Sequence, residues 1–348
     1  MRKGSEHRWT GLPRVSIVIA NYNGHRLLER CLDSLDGQTF RDFETIVVDN
    51  GSADGSRDLL AGRPGVRTVL LPENEGFAGG NNRGIREARG ELVLLLNNDT
   101  ECARGFLESL VAAADRHPEY SSFACKVLID SAREFVDSAG LLLYPDGICR
   151  SRGWLEPDSG KFDVEEEVLA PCGCAAVFRK SCLDDTGLFD ERYFAYLEDL
   201  DLGIRARLRG HRCLYVPTPP VYHVKSSTTG KHSREKAFLV ERNRIWVAIK
   251  LLPLSLLLAS PLLTLARYLC QGYAAMTYKG VSGSFTRNYS RFELLSILVR
   301  AYVSALRQLP AMVRERRRVQ KGRRLKRVER HRLFWRWRLP ILEMALKD

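Results

Sequence analysis

Four short apolar runs alternate with polar or mixed segments over the first hundred residues of the chain. They cover residues 15–21, 43–50, 66–71 and 91–99, and all are rich in valine, isoleucine and leucine. Continuous runs of this length are typical of strands buried on both faces of a parallel sheet. Between the first two runs, apolar residues recur with helical spacing, at Leu27, Leu28, Cys31, Leu32 and Leu35. Strands alternating with amphipathic helices predict a doubly wound α/β domain.

Polar residues end three of these runs. They are Asn21 after the first run, Asp49 and Asn50 after the second, and Asn97, Asn98 and Asp99 after the fourth. One strand ending in Asn or Asp is common, because these residues start turns. In parallel sheets, however, ligands bind beyond the carboxyl ends of the strands. Three such endings in register therefore predict a shared binding site.

A glycine-rich segment, NEGFAGGNNRGI at residues 74–85, follows the third run. We predict a loop here, with Gly79, Asn81 and Asn82 beside a bound phosphate, because glycine lets backbone N–H groups approach phosphate oxygens closely. The spacing matches neither the dinucleotide-binding nor the P-loop fingerprint. An ordinary turn is the alternative.

The later apolar segment, residues 245–276, raises the question of a membrane. Its uncharged stretch between Lys250 and Arg267 is broken by Pro253 and Pro261, and it is shorter than the ~20 residues that a spanning helix needs. We favour helices that lie in the membrane interface over a span, with a buried pair of core helices as a third alternative.

Charge is concentrated near the C-terminus. The 348 residues carry a net charge of +12, and residues 314–338 hold thirteen Lys/Arg against two Glu, a surplus of 13 − 2 = 11. This basic segment also contains Leu333, Phe334, Trp335 and Trp337, a composition typical of a helix on an anionic leaflet. A soluble charged helix is the alternative. Nucleic acid would be another anionic partner, but no nucleic-acid-binding motif accompanies the segment.

The remaining composition favours a globular cytoplasmic protein. The chain is 45% hydrophobic and 28% charged, which is compatible with a well-packed core. Its nine cysteines are scattered, apart from Cys172 and Cys174, and we interpret them as reduced thiols rather than as disulfides or a metal cluster. The first ten residues are polar and do not look like a secretory signal.

Five sequence blocks together resemble the family-2 glycosyltransferases with the GT-A fold, and in particular the bacterial rhamnosyltransferase-like members. The blocks are VSIVIANYNG, VVDNGSADGS, NEGFAGGNNRGI, LLLNNDT and the pair GCAAVFRK and TGLFDERYFAYLEDLDLGIRARLRGHR. The resemblance implies an N-terminal tail at 1–12 and a GT-A domain at 13–244, with a Rossmann-like nucleotide-binding sheet and an acceptor half. A C-terminal helical, membrane-associating region would follow at 245–348.

The same resemblance implies roles on the donor side. Asp49 matches the acidic residue that reads the pyrimidine base, and Asp99 matches the last residue of the Asp-x-Asp element that holds a divalent metal. Here Asn97 replaces the first aspartate. His223 matches a later histidine that completes the metal shell. The expected cofactor is Mg²⁺ or Mn²⁺, which carboxylate and carbonyl oxygens bind well.

On the acceptor side, the resemblance makes Asp199 the catalytic base. Glu198 and Asp201 would orient the acceptor, although acidic residues in a first helical turn are also expected from the helix dipole. A base on the face opposite the departing phosphate implies inversion at the anomeric carbon.

The expected function is therefore sugar transfer in the assembly of surface polysaccharides. The donor would be a nucleotide sugar, with dTDP-rhamnose favoured over a UDP-sugar, and the acceptor a glycan or a polyprenyl-linked glycan. We expect a peripheral protein on the cytoplasmic side of the cell membrane, bound to an anionic surface. The alternatives are a nucleotide-sugar-binding protein without catalysis and a nucleic-acid-binding protein.

Overall fold

The computed structural model describes residues 11–224, 233–276 and 288–346. These residues form twelve β-strands, which are β1 (Val15–Asn21), β2 (Phe43–Asp49), β3 (Val66–Leu70), β4 (Leu92–Leu96), β5 (Thr100–Cys102), β6 (Ser122–Ile129), β7 (Ala132–Ser138), β8 (Leu141–Leu143), β9 (Cys149–Ser151), β10 (Glu166–Val168), β11 (Ala175–Arg179) and β12 (Cys213–His223).

The same residues form twelve α-helices and a 3₁₀-helix at Glu191–Tyr193. The α-helices are α1 (His25–Asp36), α2 (Ser56–Ala61), α3 (Gly76–Glu87), α4 (Phe106–Arg116), α5 (Lys180–Thr186), α6 (Glu198–Leu208), α7 (Arg234–Leu251), α8 (Leu254–Met276), α9 (Arg291–Arg307), α10 (Leu309–Lys321), α11 (Arg327–Arg336) and α12 (Ile341–Leu346).

A ten-stranded mixed sheet organises the fold. Its order is β10-β12-β6-β11-β4-β1-β2-β3, with β5 beside β12 and β7 beside β6, while β8 and β9 form a separate pair. β4, β1, β2 and β3 are parallel, and β11 is antiparallel to both β4 and β6. The predicted α/β sheet and the helices after it are confirmed.

The main core lies between the parallel strands and α1. The helix buries Leu28, Cys31, Leu32 and Leu35 against the inward side chains of the sheet, among them Ile17 and Val47. These are four of the five positions that the helical spacing predicted, and the fifth, Leu27, is half-buried. All nine cysteines are free, as the composition indicated.

The glycine-rich segment is a helix and not the predicted loop, whereas its contact with a phosphate stays a prediction. α3 begins at Gly76, and the backbone N–H of Ala78 in its first turn donates to the carbonyl oxygen of Phe194 (3.1 Å). A Cβ on Gly84 would lie 2.3 Å from Val18 Cγ1. The glycines therefore let α3 pack closely on the sheet. The first turn of the helix is covered by the segment of the same chain that contains Phe194.

The helices after β12 divide into buried and exposed parts. Trp246, Val247 and Leu251 of α7 are buried beside Leu200 and Ile204 of α6 in a second core cluster. The first part of the 245–276 segment is therefore core. The boundary predicted at 244 falls inside α7. Of the predicted tail at 1–12, residues 1–10 lie outside the described residues.

α8 differs from α7, because much of its surface faces outward. Within the described ranges, Leu254–Ala274 is the one helical stretch whose length and composition would allow it to cross a bilayer. That test alone is weak evidence, since buried helices of soluble proteins also pass it. Pro261 lies inside the helix without ending it.

The basic segment is only partly a surface helix. Leu333, Phe334 and Trp337 are buried in the second core cluster, whereas Trp335 is half exposed. Arg207 lies over the Trp337 ring at 4.6 Å. The expectation that these apolar residues together contact a bilayer is therefore corrected for Leu333, Phe334 and Trp337.

The close contact of α3 with the sheet can be tested with Gly84→Ala. The added methyl group would overlap Val18 and lie 3.2 Å from Val48 Cγ2, so we expect a loss of about 1–3 kcal/mol in the free energy of unfolding. Gly272→Ala is the matched control, because it is also helical and has no atom within 4 Å of its added Cβ. Chemical denaturation of both variants should show a loss for Gly84→Ala only; equal stability would contradict the packing argument.

Candidate active site

Three strand ends meet in one hydrogen-bond network. The side-chain amide of Asn98 donates to Asn21 Oδ1 (2.7 Å), and Asn21 Nδ2 donates to Ser52 Oγ (3.3 Å). The backbone N–H of Ser52 donates in turn to Asp49 Oδ1 (3.1 Å). The residues that the sequence placed at the ends of β1, β2 and β4 are thus brought together.

Asp49 keeps one carboxylate oxygen available at this edge. Its Oδ1 accepts from Arg57 Nε (2.8 Å), whereas its buried Oδ2 has no hydrogen-bond partner among the described residues. A buried carboxylate oxygen normally has a partner, and leaving it without one is costly. Asp49 is therefore suited to accept a hydrogen bond from a ligand.

The other predicted nucleotide-binding residues of this half contact protein backbone. Asn50 donates to the carbonyl of Gly76 (2.9 Å) and accepts from the N–H of Glu75 (2.9 Å). Asn82 exchanges two hydrogen bonds with the backbone of Phe189. Asn81 donates to Phe77 of its own helix, and a Cβ on Gly79 would meet Glu75. These contacts position α3, and the nucleotide-binding role of the four residues stays a prediction.

Asp99 and His223 lie side by side on the neighbouring part of the edge. Asp99 Oδ1 is 3.2 Å from His223 Nε2, which is close to the ~3 Å that separates adjacent ligands around an octahedral cation with bonds of about 2.1 Å. His223 Nδ1 lies 2.7 Å from Asp137 Oδ2. A carboxylate on the second ring nitrogen is the usual way to orient a metal-binding histidine.

The acidic neighbours of His223 favour positive charge at this position, which a proton or a bound cation can supply. Burial lowers the pKa of the imidazole, but the neighbouring Cys174, Asp137 and Asp99 outweigh that effect and raise it well above 6.5. Within the described ranges, no group of three or more His, Cys, Asp and Glu side chains could hold a metal ion. The protein thus offers two groups, which fits Mg²⁺ or Mn²⁺ because such ions keep water and substrate oxygens as ligands.

Asp137 was missed by the sequence analysis. It is the second-last residue of β7, within the segment FVDSAG, and no spacing there resembles a metal motif. Its relation to His223 arises because β7 and β12 both pair with β6. The contact between Asp137 and His223 joins distant segments, so the sequence pattern of one segment does not predict it.

Residues 172–174 connect the two sides of the site. The backbone N–H of Gly173 donates to Asp199 Oδ2 (2.9 Å), and the carbonyl of Cys174 accepts from the N–H of Asn97 (2.9 Å). Because β11 is antiparallel to β4, its first residue, Ala175, pairs with Leu96 at the end of β4. The strand order therefore brings the residues before β11 to the same edge as the donor-side residues.

The acidic helix α6 presents one accessible carboxylate here. Asp199 is partly exposed, whereas Glu198 is 5% exposed and its Oε2 has no hydrogen-bond partner among the described residues. Burial raises the pKa of Asp199, although the N–H groups of Gly173 and Leu200 oppose it. Burial and the adjacent Asp199 raise the pKa of Glu198 well above its ordinary value. Asp199 is the better placed of the two to meet a substrate.

Asp201 has the contacts of a structural ion pair. It is fully buried, and its carboxylate meets Lys250 Nζ (2.7 Å), Arg205 Nε (2.7 Å) and the Tyr193 hydroxyl (3.2 Å). Burial raises its pKa, but Lys250 and Arg205 outweigh that effect and lower it. These contacts point away from the predicted role of orienting an acceptor.

Lys250 extends this ion pair to a second carboxylate. Its ammonium group is also 2.7 Å from Asp190 Oδ2. Burial raises the pKa of Asp190, but Arg192 and Lys250 together lower it to about 2. α7 is thereby fixed both to α6 and to the chain before the 3₁₀-helix.

The loop that leads into α6 has a strained backbone. Phe194, Tyr196 and Leu197 have positive φ angles of 65°, 71° and 70°, a region that such residues rarely adopt. The side-chain amide of Asn243 donates to the carbonyls of Tyr193, Ala195 and Tyr196 and holds the loop in place. Strain of this kind persists where the surrounding structure over-determines it.

Comparison with known proteins gives a family and a relative. The family model described as glycosyl transferase family 2 matches residues 16–187. An N-acetylglucosaminyl-diphospho-decaprenol L-rhamnosyltransferase of Mycobacterium tuberculosis is 30% identical over 268 residues, which cover 66% of this chain and 85% of the relative. The O-antigen biosynthesis protein RfbC of Myxococcus xanthus is 29% identical over 229 residues, 63% of this chain but 18% of that protein.

A solved structure supports the fold. The crystal structure of GalNAc-T7 with UDP, GalNAc and Mn²⁺ superposes with a TM-score of 0.56 at 17% identity, over 69% of this chain and 48% of that one. Identity this low supports the predicted GT-A architecture only.

The ion pair between α7 and α6 can be tested with Lys250→Met. Removal of the ammonium group leaves Asp190 and Asp201 buried without their shared cation, and we expect the free energy of unfolding to fall by about 3–5 kcal/mol. Arg318→Met is the control, because that side chain is 79% exposed. Urea denaturation at neutral pH measures both, and a stable Lys250→Met protein would show that the carboxylates do not depend on this lysine.

Proposed function

The chain belongs to glycosyl transferase family 2, and from that premise we propose that it transfers a sugar from a nucleotide donor to an acceptor hydroxyl with inversion at the anomeric carbon. The observation that carries the proposal is the link formed by residues 172–174. It joins Asp199, a candidate base, to the edge that holds Asp99 and His223. Groups for the acceptor and for the donor diphosphate are thus linked through one short segment of the chain.

Asp199 would act as the base. A carboxylate within hydrogen-bond reach can take the acceptor proton as its oxygen attacks. The raised pKa of Asp199 brings its basicity closer to neutral pH, where proton transfer is more favourable. The hydrogen bond from Gly173 fixes one oxygen of this carboxylate and aids its orientation.

Asp49 would read the nucleotide base. Its buried Oδ2 can accept from the imide N–H that uracil and thymine share. The contact therefore does not discriminate between a UDP-sugar and a dTDP-sugar. We favour dTDP-rhamnose because the mycobacterial relative is a rhamnosyltransferase, and a UDP-sugar is the second candidate.

A divalent cation, Mg²⁺ or Mn²⁺, would be held by Asp99 and His223, with Asp137 orienting the imidazole. When bound, such an ion neutralises the charge that develops on the diphosphate leaving group. Asn97 contributes a neutral side chain where the family usually has a carboxylate. Asp99 is thus the single acidic residue of its motif, and we expect metal affinity to depend strongly on it.

The acceptor would be a lipid-linked glycan in the assembly of surface polysaccharide. The names of two relatives support this, one acting on a decaprenol-linked substrate and one belonging to O-antigen biosynthesis. With such an acceptor, we place the enzyme at the cytoplasmic side of the cell membrane as a peripheral protein. A protein that binds nucleotide sugars without catalysis would leave the position and raised pKa of Asp199 unexplained.

A donor screen tests the proposed reaction. The full chain would be incubated with dTDP-rhamnose and with UDP-sugars, with Mn²⁺ or a chelator, and with or without a lipid extract. We expect release of a nucleoside diphosphate that requires both the metal and the lipid extract. Binding of every donor without any release would instead identify a non-catalytic protein.

The assignment of the base predicts the effect of Asp199→Asn. The variant keeps the size of the side chain but removes its basicity, so turnover should fall by roughly 10² or more. Donor affinity, measured by calorimetry, should change little. Glu198→Gln is the comparison variant, and if it were the inactive one while Asp199→Asn stayed active, the neighbouring carboxylate would be the base.

The metal site predicts an effect of Asp137→Asn on cation binding. Loss of the group that orients His223 should weaken Mn²⁺ binding about 10–100-fold, measured by electron paramagnetic resonance in the presence of UDP. Asp99→Ala should weaken it further. Asp185→Asn is the matched control, because Asp185 Oδ2 also lies 2.8 Å from a histidine, His211, outside the site. Unchanged Mn²⁺ binding in Asp137→Asn would refute the orienting role.

A further inference from the structure

α8 and α9 each expose a stripe of apolar side chains, and the two stripes together are called the apolar face. The two helices meet where the hydroxyl oxygens of Tyr268 and Tyr302 are 3.5 Å apart. The exposed side chains include Leu258, Leu262 and Leu269 of α8 and Phe292, Leu295 and Leu306 of α9, and all six are at least 58% exposed. Large apolar side chains exposed in such numbers mark an interaction site.

The opposite side of α8 is fixed to the protein along the length of the helix. Leu256, Ser260, Thr264, Arg267 and Ala274 are buried, about half a helical turn away from the exposed leucines. The helix therefore rests on the protein by one side. Its exposed stripe runs parallel to the protein surface.

A buried ion-pair network prevents α8 from turning away. The guanidinium group of Arg267 contacts Asp146 Oδ2 (2.7 Å) and Glu241 Oε1 (2.9 Å), and its side chain is 2% exposed. A helix that crossed a bilayer would withdraw this cation and leave Asp146 and Glu241 with Arg244 as their one cationic partner among the described residues. Separating buried charges in this way is costly. The geometry therefore supports a helix in the plane of a surface rather than across a membrane.

The exposed charges of α9 and α10 are mostly positive. Arg300 and Arg307 of α9 and Arg314, Arg317, Arg318 and Lys321 of α10 are exposed. The acidic residues of the two helices are Glu293 and Glu315. Exposed leucine and phenylalanine beside arginine and lysine are the composition of a helix that lies on an anionic leaflet.

We propose that the apolar face of α8 and α9 inserts into the headgroup region of an anionic bilayer, with the arginines of α9 and α10 on the lipid phosphates. This inference rests on the proposed function in one respect, because a lipid-linked acceptor places the reaction at such a surface. The face itself is defined by contacts within the chain and does not depend on the chemistry of the site.

Vesicle flotation of the full chain tests the surface. The probes are vesicles of phosphatidylcholine alone and vesicles that also contain phosphatidylglycerol. We expect the protein to float with the anionic vesicles. Leu258→Glu with Leu262→Glu should lower the partition coefficient at least tenfold, since two exposed leucines would no longer enter the lipid. Arg314→Gln with Arg317→Gln should lower it about fivefold for each charge removed.

The matched control places glutamate on exposed apolar residues outside this face. Leu12 and Val164 are 76% and 67% exposed, and Leu12→Glu with Val164→Glu should float like the unchanged protein. Circular dichroism should give one melting temperature for all variants, because every substituted side chain is exposed. Equal flotation of the Leu258/Leu262 variant and the unchanged chain would overturn the inference.

Two further outcomes separate this surface from its alternatives. If the unchanged chain did not float and sedimented as a dimer that the Leu258/Leu262 variant lost, the face would bind a second copy and the membrane inference would be wrong. If flotation behaved as expected but no donor gave sugar transfer, the surface would stand and the proposed reaction would fail.

Discussion

A buried lysine between two buried carboxylates connects the C-terminal helices to the candidate site. Lys250 of α7 is 2.7 Å from both Asp190 and Asp201, and Asp201 lies in the first turn of α6, two residues after Asp199. A charge in a buried position is stable only when it is paired. The position of Asp199 therefore depends on α7, a helix outside the region 16–187 that the family model matches.

The mixed sheet explains how donor and acceptor groups share one edge. The parallel strands β1, β2 and β4 end in Asn21, Asp49 and Asn97–Asp99, and the antiparallel β11 begins at the same edge. Residues 172–174 can then contact Asn97 on one side and Asp199 on the other. A sheet that remained parallel would place the start of its next strand at the far edge.

The sequence predicted the features that depend on local pattern. Continuous apolar runs marked β1 to β4, and the spacing of Leu28, Cys31 and Leu32 marked α1, because strand and helix periods are visible in one segment. The glycines of α3 were misread, since Gly84 is required by its contact with Val18, and that contact joins distant segments. Asp137 was missed and Asp201 was given another role for the same reason. Their partners, His223 and Lys250, are far away in the chain.

The ion pairs of Arg267 also limit how this chain can change by recombination. A gene fusion that joined a foreign segment after residue 244 would keep Glu241 and Asp146 but supply no cation in place of Arg267. We therefore expect the helices that follow to be inherited together with the sheet rather than exchanged as a module. The outward residues of α8 carry no such constraint, so among descendants they can diverge with the composition of the surface they meet while the inward side stays the same.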